Sequence, residues 1–139
     1  MDAKTGQRRK SRELALQALF EIDFVRHDCE ETLQWLTEEF EVPGEAGSFA
    51  RELVLGVVEN RQSIDATIRQ FAPAWPVEQL AMVDRNILRL GVYEIWLGEV
   101  PGKVAINEAV EWAKSFGADK SAKFVNGVLG AVFAHATKD

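Results

Sequence analysis

The stretch Lys120-Ser121-Ala122-Lys123-Phe124-Val125-Asn126 sets two cations, a hydroxyl, an aromatic ring and an amide within two helical turns. Free N–H groups at a helix start favour anions, and Lys120, Ser121 and Lys123 reinforce that preference, so the chemistry on offer is phosphate binding. Phe124 offers a base a stacking surface, although a ring at this spacing serves a core equally well. Gly127 and Gly130 share a helix face with Lys123 and Asn126, leaving a narrow strip with little side-chain bulk. Either another helix packs closely there or a ligand approaches. A second group opens the chain: Arg8, Arg9, Lys10 and Arg12 precede a stripe of Leu16, Phe20 and Phe24 spaced four apart. Basic charge held beside an aromatic is the composition of single-stranded RNA sites, whereas a cationic tail without such a stripe is often inert.

Other chemistries lack their parts. The acidic pairs Glu30/Glu31 and Glu38/Glu39 fall on polar helix faces with no histidine or lysine beside them to divide acid and base roles. His27 and Cys29 stand two apart, point in different directions on a loop or helix turn, and have no third group to orient them as a nucleophile pair. Two histidines, one cysteine and no CxxC make a zinc site improbable, and no metal or cofactor is expected. GxGxxG, GxxxxGK[ST] and GxSxG are absent. Gly127-Val-Leu-Gly130 matches the GxxG of KH loops in letters, but it lies inside a periodic helix. No catalytic constellation emerges.

The elements that must carry these residues are helices. No alternating run is bounded by hairpin signals, and 139 residues with 47% hydrophobic and 27% charged content suit one soluble all-α domain. No run approaches a membrane span, Glu13, Gln17, Glu21 and Asp23 interrupt any secretory apolar region, and the lone cysteine suits a reducing cytoplasm. Charge divides unevenly: the first twelve residues carry +4 and the remaining 127 carry −10. An acidic body repels polyanions, so any nucleic-acid contact must be local.

The patterns predict helices over about 8–24, 30–40, 47–61, 64–71, 77–97, 104–116 and 120–136, the fifth being the longest. On the first, Leu14, Ala15, Ala18, Leu19 and Ile22 form the core stripe. The other inward faces are Phe49, Leu53, Gly56 and Val57; Ile64, Ile68 and Phe71; Leu80, Val83, Ile87, Leu90 and Gly91; Ile106, Ala109, Val110, Ala113 and Phe116; and Val125, Val128, Leu129, Val132 and Phe133. Pro73-Ala-Trp-Pro76 is the expected seam, dividing a bundle of about 8–72 from one of about 77–136. Gly117 is expected as a left-handed cap and Asp119 as the cap of the last helix. Glu94 falls amid an apolar stripe, which suggests that it accepts hydrogen bonds from the uncapped helix that follows.

The stretches RRKSRELALQALF, ILRLGVYE and KVAINEAVEWAKSFGADKSAKFVNGVLG resemble the NusB family of bacterial transcription antitermination factors, and the similarity runs through nearly the whole chain. The resemblance implies about seven helices in two small bundles, and a binding factor rather than an enzyme. The implied ligand is the single-stranded boxA RNA of nascent ribosomal transcripts, bound together with NusE, a small-subunit ribosomal protein, within a complex of other Nus factors and RNA polymerase. Carried over by position, the RNA contacts fall on Arg8, Arg9, Lys10, Arg12, Gln17 and Phe20, and on Lys120, Ser121, Lys123, Phe124 and Asn126. NusE is expected around Asp84, where an acidic surface suits a basic partner. Phe20 departs from the tyrosine common at that position, and Lys120 from an acid found there in some members. Certain ribosomal RNA methyltransferases use this fold as a front end, but no cofactor-binding domain is expected within these 139 residues. Another alternative is a scaffold that dimerises through Trp35 or Trp96; a homodimer would hide the basic surface.

Overall fold

The computed structural model describes residues 3–25, 29–39 and 44–136. His27 and Phe40 lie outside these. Among the described residues the regular structure is helical: α1 (Ala3–Val25), α2 (Cys29–Glu39), α3 (Gly44–Glu59), α4 (Arg61–Phe71), a 3-10 turn (Val77–Gln79), α5 (Met82–Leu97), α6 (Gly102–Phe116) and α7 (Ser121–Ala136). The longest is α1, which begins at Ala3, ahead of the expected start near residue 8, and runs for 23 residues; the expected fifth helix is interrupted. Leu80 (ψ 148°) and Ala81 (ψ 139°) are extended between the 3-10 turn and α5. The apolar stripe continues from Leu80 to Val83, so periodicity alone does not reveal this break.

The chain divides into two compact units, residues 1–59 and 60–139. The seam expected at Pro73–Pro76 is therefore displaced: α4 packs on α5 and α7 and belongs to the second unit. The physical reason is a long-range ion pair. Arg89 of α5 is buried and grips Asp65 of α4 through two bonds, Nε to Oδ1 at 2.8 Å and Nη2 to Oδ2 at 3.0 Å. Arg61 adds a longer contact to Asp65 at 3.8 Å, and Asn86 donates from Nδ2 to the Met82 carbonyl beneath the guanidinium. Ile64 and Ile68, fully buried on the same helix, each stabilise the packing by roughly 1.5–3 kcal/mol.

In the first unit α1 packs on α2 and α3. Leu14, Ala15, Ala18 and Leu19 are buried as the wheel requires, and so is Leu16 of the second stripe, whereas Phe24 ends that stripe exposed. Ser11 donates from its buried Oγ to the Ala46 carbonyl at 2.9 Å, tying α1 to α3. Arg51 of α3 reaches Glu30 of α2 at 2.6 Å.

In the second unit α5, α6 and α7 pack pairwise. Ile87, Leu90, Ile106, Ala109, Ala113, Val125, Val128, Leu129 and Val132 are buried as expected, and Glu94 is buried among them at 5% exposure. Phe116 is not inward. It is 48% exposed and stacks on Trp112 of its own helix, with ring centroids 5.7 Å apart. The left-handed cap also sits elsewhere: Gly98 takes φ 71° after α5 and donates to the Glu94 carbonyl. Gly117 is extended (φ −92°, ψ −177°), and its value is space. A Cβ there would fall 2.5 Å from Ser121 Cβ and 2.7 Å from the Ala113 carbonyl.

Candidate nucleic-acid interface

The cations of α1 occur in two environments. Arg9 and Lys10 are exposed, as phosphate contact demands. Arg8 is half-buried, its guanidinium lying 3.6 Å over the Phe49 ring of α3, an arrangement in which the ring's negative face holds the cation in place. Arg12 is buried at 3% exposure, one turn beyond Arg8 and beside Ser11, whose hydroxyl is already spent on Ala46. Gln17 and Phe20 are half-buried. The opening cluster thus consists of two exposed cations and two arginines drawn into the packing, rather than four equivalent phosphate ligands.

In the second unit, the chain between α4 and α5 faces the first turns of α7 across a groove of 660 Å³. Phe71, Trp75, Leu80 and Phe124 supply apolar walls, and Lys120 and Lys123 stand exposed at its edge. Phe71 is steadied from behind by His135, with ring centroids 5.5 Å apart. Trp75 follows Pro73 in a segment with no helix to bury it and remains 57% exposed. Asp84 lines the same groove, and its Oδ1 is buried without a hydrogen-bond partner.

Ser121 also reaches this groove, and its hydroxyl already accepts one bond while its O–H remains a donor. Oγ accepts from the Ala118 N–H at 2.9 Å, a reach-back bond that closes the start of α7 in the manner of a capping box. Ser121 therefore shapes the frame of the anion-binding site, the part assigned on sequence to Asp119. Gly127 lines the groove, and a Cβ added to Gly127 or Gly130 would meet nothing within 4 Å. Close helix packing does not require these glycines; at Gly127 the missing side chain leaves the groove open. Asn126 is exposed on α7 outside the groove's lining.

Lys120, Ser121, Lys123 and Phe124 are thus brought together with Asp84, the residue set apart on sequence for a protein partner. Trp75, Phe71 and Leu80 are the groove residues that sequence reasoning missed. The available signal was the tryptophan itself: between two prolines it cannot join a helical stripe, so its ring must stand on the surface or cover a neighbour. Among the described residues no cluster of three or more metal-ligating side chains occurs, and no helix is long and apolar enough to cross a membrane.

Residues 9–134 match the family model described as the NusB family. The transcription antitermination protein NusB of Dehalococcoides mccartyi is 51% identical over 129 residues, covering 92% of this chain and 90% of that protein. The solved structure of NusB from T. maritima superposes with a TM-score of 0.86 at 37% identity, covering 91% of this chain and 90% of the other. A crystal structure of antitermination factors NusB and NusE in complex with dsRNA gives a TM-score of 0.85 at 29% identity, with coverage of 93% and 97%.

Proposed function

The chain belongs to the NusB family, and from that premise we propose that it is a transcription antitermination factor that binds boxA single-stranded RNA of nascent ribosomal transcripts together with NusE. It is a binding factor and not an enzyme. The observation that carries the reading is the family match over residues 9–134, which encloses both cationic segments from Arg9 to Asn126.

Arg9 and Lys10 contact phosphates from α1, while Arg8 and Arg12 hold that helix end in place alongside Gln17 and Phe20. Lys120, just ahead of α7, and Lys123 within it contact phosphates; Phe124 stacks, Ser121 frames the helix start, and Asn126 reaches RNA from the exposed face. The acidic remainder serves attraction of a basic ribosomal protein and limits non-specific RNA binding. The complex works in the cytoplasm with other Nus factors and RNA polymerase, and a homodimer is the state in which the basic surface is withdrawn.

Binding is measured against a boxA RNA and a scrambled RNA of equal length, each with and without NusE. Preference for boxA, strengthened by NusE, is the expected result. Equal binding to both RNAs would overturn the reading. Binding to neither, with a dimer on a sizing column, would favour the scaffold built on exposed Trp35 or Trp96.

A further inference from the structure

The groove of the second unit contains more than a phosphate site requires. Its walls are aromatic and aliphatic, its edge is cationic, and among these stands the carboxylate of Asp84 with Oδ1 buried and unpartnered. A buried acceptor left without a donor is costly, and a ligand that supplies the donor removes that cost. Asp84 belongs to the first turn of α5, where it could have bonded the helix's own free N–H groups, yet Oδ1 takes none of them.

We infer that this groove receives one unstacked guanine base of the bound RNA, with Phe124 and Trp75 as stacking walls, Lys120 and Lys123 on the flanking phosphates, and Asp84 reading the base edge. The inference rests on the RNA-binding reading above and deepens it. A groove of 660 Å³ lies within the roughly 300–1,000 Å³ of small-ligand sites, ample for a base and its ribose. Guanine follows from the acceptor chemistry. A carboxylate accepts hydrogen bonds, and guanine alone among the RNA bases presents two adjacent donors, N1–H and the 2-amino group, on its Watson–Crick edge. Adenine, cytosine and uracil each set a lone-pair acceptor beside their donor, which a carboxylate repels. The missing side chain at Gly127 keeps the floor clear for the ring.

This gives Asp84 a role different from the protein-facing one assigned on sequence, and the experiment separates the two. Fluorescence anisotropy is read with labelled boxA RNA and with copies in which each guanosine in turn is replaced by inosine, which lacks only the 2-amino group. For the unaltered protein, one guanosine is expected to carry a penalty of about tenfold, the worth of a well-made base contact. In Asp84→Asn that penalty disappears, because the amide turns a donor toward guanine's donors. Asp84→Ala serves equally if the asparagine variant does not fold.

A penalty that persists in both variants, or no penalty at any guanosine while boxA still binds, overturns the guanine inference and leaves the RNA reading standing. Loss of NusE binding by Asp84→Asn with the inosine penalty intact overturns it in favour of a protein-facing carboxylate. Failure of the unaltered protein to prefer boxA overturns both.

Discussion

Two charged side chains, one exposed and one largely enclosed, illustrate opposite uses of the same property. Lys120 stands in solvent at the edge of the groove. Lys120→Asp replaces attraction of a phosphate with repulsion, and boxA affinity should fall about fivefold while the logarithmic salt slope shrinks by about 0.7. An unchanged affinity and slope in titrations at several salt concentrations would remove Lys120 from the interface. Asp65, its side chain 14% exposed, is the largely enclosed case. Its carboxylate neutralises Arg89, which is only 4% exposed, so Asp65→Ala strands a guanidinium inside the second unit. The expected loss is about 3 kcal/mol in urea unfolding, the usual cost of removing one partner of a buried pair. The double variant Asp65→Ala with Arg89→Met should recover part of that loss.

At the level of helices, local pattern and long-range partnership separate cleanly. The stripes of α3, α4 and α7 were legible because burial follows a 3.6-residue period, and Leu53, Ile68 and Leu129 are buried where the wheel puts them. Arg89 was not legible: on sequence it is a cation among apolar residues, and its partner is 24 positions away. The burial of Arg12 was not legible for the converse reason: a basic run gives no sign that a second helix covers one of its members. The interruption at Leu80–Ala81, the extended Gly117 and the groove itself all arise from how segments meet, which periodicity does not encode. The glycines of α7 give a test of which contacts matter. Gly127→Ala and Gly130→Ala should each stabilise the protein by about 0.5–1 kcal/mol, since each meets open space and alanine favours helix. Only Gly127→Ala should weaken RNA binding, because only Gly127 lines the groove; equal effects in anisotropy would contradict that assignment.

The charge of the whole molecule, −6, sets the scale of its attraction to RNA. Of the cations assigned to the interface, Arg9, Lys10, Lys120 and Lys123 are exposed, and these four predict a slope of log affinity against log salt of about −3 for single-stranded RNA. A slope near −4 would mean that Arg8 and Arg12 leave their packing to join the phosphates. The distribution also explains why so acidic a protein groups the cations assigned to the interface at the chain's start and at the beginning of α7: affinity stays confined to chosen surfaces, and the acidic remainder is repulsive to RNA.

The Asp65–Arg89 pair has a kinetic meaning as well. It fastens α4 to α5 on either side of the segment carrying Trp75, and Arg85 adds a bond from Nη1 to the Glu78 carbonyl at 3.3 Å. The groove's mouth is thereby shaped before any ligand arrives, with little ordering left to do at encounter. Capture from a moving transcript allows only a brief meeting between RNA and protein, and a rigid mouth lets collision, rather than rearrangement, set the pace.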